Sequence, residues 1–496
     1  MTVRPARTRF APSPTGHMHL GSARTALYNY LLARQTGGQF ILRIEDTDQK
    51  RYVPGAEEEL MDGLRWLGIQ YDEGPDTGGA YGPYRQTERQ EIYHQHAQQL
   101  VEMDKAFPCF CTPERLERVR QDQQKRKVPT HYDGLCRNID AGEASRRIAS
   151  GEKYVIRFKM PKEGSTTAHD LLRGDITVEN KVLDDYVLMK SDGWPTYHLA
   201  AMVDDHLMEI THVFRGSEWL GTFPLHVNIL RAFGWEEPVW MHLSIFLKPS
   251  GKGKMSKREK AEAMKDGYSI FIKDLNELGF IPEGLVNWAA LMGWGAGETE
   301  DVLTLAEMIE KFDINRLTPS PAAINFAKLD YFNGEHIRRL SIEDLAGRIK
   351  PYFVNAGYVV DDAKLLKITP TIRERLVTLD DCLPFAAWFF KETVEPNPAE
   401  LVGKNLTAAQ SAEVARKAYA VLEALPELTH AATEAPMRAL IEELGLSPNQ
   451  VFGIMRVAIT GQTVSPPLFE SMEIVGKDRV LERMRNAIET LDSMKE

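Results

Sequence analysis

Near its start the chain sets short apolar stretches around one longer run whose apolar residues recur at helical spacing. Residues 8–11 read as a short strand and residues 12–16 (PSPTG) as a breaker-rich loop. Residues 22–35 read as a helix with Ala23, Ala26, Leu27, Tyr30 and Leu31 on one face. Gly37 and Gly38 stop that helix, and residues 40–44 (FILRI) read as the next buried strand. A strand, helix and strand within residues 8–45 form a βαβ unit, which favours an open parallel sheet with a binding crevice at its carboxyl edge. A further helix is expected from Thr87, which has the spacing of a capping pair with Gln90 and places Ile92, His96, Leu100 and Met103 on one face.

From Cys109 to about Asp185 the pattern has the character of an insertion. Residues 154–161 and 175–182 look extended, and the first sheet is expected to resume around residues 186–189 and 213–215. Beyond about residue 320 strand signals fade. Helical periods take over, as in Val414, Ala418, Val421, Leu422 and Leu425, or Val480, Leu481, Met484, Ile488 and Leu491. No regular repeat marks a solenoid. The expected fold class is α/β, a Rossmann-type parallel-sheet domain with an α/β insertion, followed by an all-helical C-terminal region. The expected segments are 1–108 with 186–245, 109–185 for the insertion, 246–324, and 325–496 for the helical region.

Composition narrows the setting. At 496 residues and 43% hydrophobic content the chain can bury several cores. No uninterrupted apolar run approaches the ~20 residues of a membrane span, and the polar, basic start is followed by no hydrophobic stretch, so a cytoplasmic protein is expected. Cys109, Cys111 and Cys136 cluster while Cys382 stands alone, which suits a reducing compartment better than a disulfide framework. A net charge of -11 argues against indiscriminate coating of nucleic acid but leaves room for selective RNA binding through local basic stretches such as residues 115–127 and 248–260.

Two stretches carry chemistry. Residues 9–22 (RFAPSPTGHMHLGS) place Thr15, Gly16, His19, Gly21 and Ser22 in the turn from the first strand into the first helix. Backbone N–H groups at a helix start attract phosphate, glycine permits close approach, and imidazole can bond phosphate oxygens as charge develops on them. Residues 254–258 (KMSKR) follow a glycine-rich stretch, and two lysines three apart on such a loop can close over a triphosphate. Together the two stretches resemble the paired signatures of class I aminoacyl-tRNA synthetases. The match narrows to the bacterial type of glutamyl-tRNA synthetase through residues 9–16, 43–48 (RIEDTD), 82–87 (GPYRQT), 190–198 (KSDGWPTYH), 203–206 (VDDH) and 254–258. The second signature histidine of that family is replaced here by Ser22.

The resemblance implies a Rossmann-type catalytic domain, an inserted domain that binds the acceptor stem, and a helical C-terminal anticodon-binding region. It implies glutamate, ATP with Mg2+ and tRNA(Glu) as reactants, with glutamyl-adenylate formed first and the glutamyl group then transferred to RNA. Thr15, His19, Gly21, Glu218, Lys254 and Lys257 are the implied ATP-binding residues, with His19, Lys254 and Lys257 catalytic. A substrate side-chain carboxylate demands fixed cations, for which Arg9 and Arg215 are matched, with Tyr197 as a supporting donor. The substrate ammonium demands an anion, and Glu45 is matched, with Ser13 beside it. Asp46 and Asp48 are read as ion-pair or turn residues. In the helical region Arg375 and Arg456 are matched to anticodon readers, Arg375 to a position where relatives that reject tRNA(Gln) carry arginine. Some relatives hold zinc near Cys109, Cys111 and Cys136, but Asn138 stands where a histidine would complete that set. No bound zinc is expected, with His131 or Tyr132 as the substitutes a fourth ligand would need. A member of the family that does not reject tRNA(Gln), a nucleotidyltransferase, an inactive RNA-binding paralogue and a truncated relative that modifies a base in transfer RNA are the rival readings.

Overall fold

The computed structural model describes residues 4–253, 268–297 and 301–494. The chain forms two compact units, Met1–Asn276 with Leu285–Phe326, and Glu277–Gly284 with Ala327–Glu496.

In the first unit β1 (Arg7–Phe10) leads through a loop into α1 (Leu20–Gln35) and back to β2 (Gln39–Leu42), which pairs with β1 in parallel from Arg7 opposite Gln39 to Phe10 opposite Leu42. Helix α1 is buried nearly all round, beyond the face its apolar spacing marks out, and several of its inward polar groups find partners. The Tyr28 hydroxyl donates to the Ala290 carbonyl at 2.9 Å, and the Arg24 guanidinium donates to the Met292 carbonyl at 2.7 Å and lies over the Phe246 ring.

The chain continues through β3 (Ala106–Cys109), β4 (Val155–Phe158), β5 (Ser165–Asp170), β6 (Gly174–Glu179) and β7 (Val187–Met189). The helix Tyr197–Leu207 and then β8 (His212–Gly216), the helix Phe223–Phe233 and β9 (Val239–Leu243) follow. Strands β8 and β9 are parallel, in a sheet of order β6-β5-β9-β8. Thr211, just before β8, joins this sheet to β1: its N–H donates to the Arg7 carbonyl at 2.9 Å, and its hydroxyl accepts from the Arg7 N–H at 2.8 Å. The carboxyl ends of β1, β8 and β9 therefore open on the same side.

Two details differ from the sequence reading. The β5–β6 hairpin, inside the segment 109–185 expected to be an insertion, joins the sheet of β8 and β9, while β3, β4 and β7 form a separate antiparallel sheet. Residues 187–189 thus belong with β4 and not with the first sheet. Thr87 does not cap the helix Gln90–Glu102, whose N-cap is Arg89: both its N–H and its hydroxyl bond the Asp46 carboxylate, at 2.9 and 2.6 Å. The buried face of that helix is Tyr93, Ala97 and Leu100, one position round from the expected one, and Met103 is exposed.

The second unit is helical. Its core takes Val414, Ala418 and Leu422 from the helix Ala408–Ala424, and Val480, Met484 and Leu491 from the helix Lys477–Ser493, as the spacing predicts. Periodicity does not reveal Arg483, which is buried in that core. Its two terminal guanidinium nitrogens donate to the Ile459, Trp388 and Lys391 carbonyls.

Candidate active site

A cleft of about 1070 Å³ opens at the carboxyl ends of β1, β8 and β9, lined among others by Arg9, Ser13, Thr15, His19, Gly21, Glu45, Tyr197, Arg215 and Glu218. These residues come from segments up to about 200 positions apart and meet because a parallel sheet delivers its strand ends to one edge. Lys254 and Lys257 lie outside the described residues. The segments on either side of them nevertheless meet the first signature stretch. Phe271 bridges to His19, the Leu20 N–H donates to the Ile270 carbonyl at 2.9 Å, and Phe246 and Ile270 both line the cleft.

His19 is the N-cap of α1, its Nδ1 accepting from the Ser22 N–H at 3.0 Å. That bond assigns the proton of the neutral ring to Nε2, so a ring N–H stands at the start of a helix whose dipole favours an anion. Gly21 makes the arrangement possible, since a Cβ there would meet the imidazole at 3.1 Å. Gly216 plays a similar part for Glu218, whose carboxylate folds back to where a Cβ would sit.

Charges on the floor of the cleft are arranged in two ways. Arg9 and Arg43 are buried and share Asp205, at 3.0 Å from Arg9 Nε and 2.8 Å from Arg43 Nη1. Arg43 also donates to Glu45 at 3.1 Å. Burial pushes the Glu45 carboxyl up to about 7 although Arg43 and Arg9 pull the other way, and the same two arginines hold Asp205 below the usual carboxylate range against its own burial. Arg215 is equally buried but has no carboxylate partner among the described residues. Its Nε donates to His242 Nε2 at 2.9 Å and its Nη1 to His226 Nδ1 at 3.0 Å, its Nη2 has no hydrogen-bond partner among the described residues, and the Tyr197 phenol lies close enough to act on its charge. Burial lowers its pKa, and burial with the Arg215 charge pushes His198 and His242 down to about 4 and holds His226 well below the usual imidazole range. Tyr197 stacks on Trp219 with ring centroids 3.8 Å apart, and burial raises its phenol. A buried cation with a free donor and a buried carboxylate in one cleft suit a small zwitterion that carries a second carboxylate.

The sequence reading missed His226, His242, Asp170 and Trp219. A single histidine in an apolar run, as in residues 224–230 (PLHVNIL) or 239–244 (VWMHLS), gives no signal that separates it from a core residue. Asp46 bonds Thr87, and Asp48 pairs with Arg51 at 2.6 Å.

Away from the cleft, the sulfurs of Cys109, Cys111 and Cys136 lie within 4.8 Å of one another. The Tyr132 hydroxyl is 3.4 Å from the first and 3.6 Å from the second, so the fold brings an oxygen to the cluster by a route that does not involve Asn138. In the helical unit Arg375 is exposed in the turn Arg373–Arg375, and Arg456 donates to the Ser465 and Pro466 carbonyls at 3.1 and 3.0 Å. The two arginines are 81 positions apart, yet the charge of Arg375 adds to burial in lowering the pKa of Arg456, which marks them as neighbours.

No helix among the described residues is long and apolar enough to cross a membrane. Residues 5–331 match the catalytic domain of class I tRNA synthetases (E and Q), and residues 344–488 an anticodon binding domain. The glutamate–tRNA ligase of Dehalococcoides mccartyi is 42% identical over 493 residues, covering 98% of both chains. That of Roseiflexus sp. is 45% identical over 494 residues, covering 97% of this chain and 96% of its own. The crystal structure of a glutamate tRNA ligase from Elizabethkingia meningosepticum in complex with its amino acid superposes with a TM-score of 0.90 at 36% identity, covering 98% of this chain and 100% of that one.

Proposed function

The chain belongs to the glutamate–tRNA ligases of class I, ATP-dependent enzymes that join glutamate to transfer RNA, and from that premise we propose how its own residues divide the work. The observation that carries the assignment is Arg215, a buried guanidinium without a carboxylate partner among the described residues, in the same cleft as the buried carboxyl of Glu45. Arg215, with Arg9 and Tyr197, takes the side-chain carboxylate of glutamate. Glu45, with Ser13, takes its ammonium. Thr15, His19, Gly21 and Glu218 hold ATP at the start of α1, and Lys254 and Lys257 close on its phosphates. Magnesium arrives with the nucleotide, since hard divalent ions that retain water are usually shared with substrate phosphates.

The substrate α-carboxylate attacks the α-phosphorus of ATP, forming glutamyl-adenylate and releasing pyrophosphate. A terminal ribose hydroxyl of the RNA then attacks the mixed anhydride, releasing AMP. Neither step calls for a protein nucleophile. The protein contributes position and charge: the His19 Nε2–H and the positive end of the α1 dipole face developing negative charge, and the lysines neutralise the leaving pyrophosphate. The helical unit reads the anticodon through Arg375 and Arg456, and the arginine at 375 makes this a form that rejects tRNA(Gln). The cysteine cluster suits a structural zinc held by three thiolates and the Tyr132 oxygen, which would fasten β3 to the segment around Cys136. The cytoplasm is the expected compartment.

Pyrophosphate exchange into ATP tests the assignment. With tRNA(Glu) present, exchange is expected with glutamate and not with glutamine. Exchange that ignores the amino acid's side-chain charge overturns it.

A further inference from the structure

A cation buried without an anion is costly, and proteins usually pair it, as Asp205 pairs Arg9 and Arg43 here. Arg215 breaks that pattern in an organised way. Among the described residues its two buried hydrogen-bond acceptors are imidazole nitrogens, with the neutral Tyr197 phenol beside them, and both imidazole rings are fully buried. An imidazole accepts only at its unprotonated nitrogen, so each ring must be held in one tautomer. For His242 the holder is Asp170, whose Oδ2 lies 2.7 Å from Nδ1 and 2.9 Å from the His242 backbone N–H, while its Oδ1 accepts from the Leu172 N–H at 3.0 Å. This places the proton on Nδ1 and leaves Nε2 for Arg215. For His226 the partner is His198: with the guanidinium donating to Nδ1, the proton of the neutral ring sits on Nε2, which faces His198 Nδ1 at 3.0 Å. The guanidinium also lies over the Trp240 ring, 4.6 Å from its centroid, which restrains its plane without neutralising it.

We infer that His242 and His226 are positioning residues for the amino acid. As neutral acceptors fixed by Asp170 and His198 they orient the Arg215 guanidinium and leave its charge uncompensated, so that the substrate's side-chain carboxylate is its counterion. A carboxylate in either place would orient Arg215 equally well but would compete with the substrate for its charge. The inference rests on the reading of Arg215 as the clamp on that carboxylate.

The test measures KM for glutamate and for ATP by pyrophosphate exchange with tRNA(Glu) present, in His242→Leu, His242→Gln, His226→Leu, His226→Asn and Arg215→Met. Glutamine carries an acceptor near the position of Nε2, and asparagine one near that of Nδ1. The leucine variants are expected to raise KM for glutamate by about tenfold or more, with KM for ATP within about twofold of wild type. The glutamine and asparagine variants are expected to recover most of the loss. Glutamate and ATP constants that rise together, or amide variants no better than leucine, mean that the rings only fill space, and the inference falls while the clamp stands. An unchanged glutamate KM in Arg215→Met removes the clamp itself, whatever the histidines do. Should the leucine variants fail to fold, the 15N shifts of the wild-type histidines decide: an unprotonated Nε2 on His242 is expected, and a protonated one overturns the inference.

Discussion

Arg9 and Asp205 form a two-pronged buried ion pair, Nε to Oδ1 at 3.0 Å and Nη2 to Oδ2 at 3.3 Å, although 196 positions separate them. The pair ties the amino end of the chain to the helix before β8 and leaves Arg9 compensated where Arg215 is not. Asp205→Asn takes its carboxylate partner from buried Arg9 and leaves Arg43 with Glu45 and Asp204, and it is expected to cost on the order of 3–5 kcal/mol in chemical denaturation. Arg215→Met removes an unpaired buried charge, so its midpoint is expected to stay level or rise while glutamate use is lost. A large loss of stability in Arg215→Met would refute this contrast.

Glu45 links glutamate binding to pH. Its folded pKa of about 7 lies above the ordinary glutamate range, so the folded protein holds a proton that the unfolded chain has already released. The stability this group contributes is complete below the ordinary range and is lost as pH rises through about 7. Ammonium binding needs the ionised form, so KM for glutamate is expected to fall by about tenfold from pH 6 to pH 8, the span of a single ionisation. Glu45→Gln should show a higher and flat profile. A wild-type profile equally flat would place the ammonium elsewhere.

Lys257 carries a fixed positive charge in the second signature stretch. Lys257→Ala is expected to lower the rate of glutamyl-adenylate formation by at least ~100-fold, the scale of one lost transition-state contact, with unchanged thermal unfolding. Rapid-quench measurement of adenylate in a folded variant at near wild-type rate would remove it from the reaction.

The cysteine cluster is expected to take up one Co2+ per chain, with the charge-transfer absorption of thiolate ligands. Cys136→Ser should abolish that band and Tyr132→Phe should weaken binding by about 10-fold or more, as loss of one supporting group does at such sites. A titration without thiolate bands would leave the three cysteines as packing residues.

Arg375 and Arg456 predict which RNA is charged. Arg375→Gln is expected to relax rejection of tRNA(Gln) by on the order of 1–3 kcal/mol, the scale of one good base contact, with little change toward tRNA(Glu). Aminoacylation of both purified RNAs measures it. Equal charging of both by wild type contradicts the assignment, and unchanged selectivity in the variant moves the reading to another residue.

What the sequence determined by itself is whatever depends on neighbours along the chain. The βαβ start, the loop that carries His19 into α1, and the periodic helices of the second unit all follow from spacing within about four residues. The cleft residues were legible as a resemblance, stretch by stretch. Their electrostatics were not, because these are settled between segments far apart. Asp205 decides that Arg9 is compensated, and the paired imidazoles leave Arg215 uncompensated. Thr87 has the spacing of a cap, yet the Asp46 carboxylate offers its N–H and hydroxyl two bonds at once. Tyr132 and His131 are equal candidates for a fourth ligand in the sequence, and it is the fold that sets the Tyr132 hydroxyl beside two thiols. A side chain's identity is written in the sequence, but its dielectric surroundings and its partners are properties of three-dimensional packing, and at a buried charge those two quantities decide what the residue does.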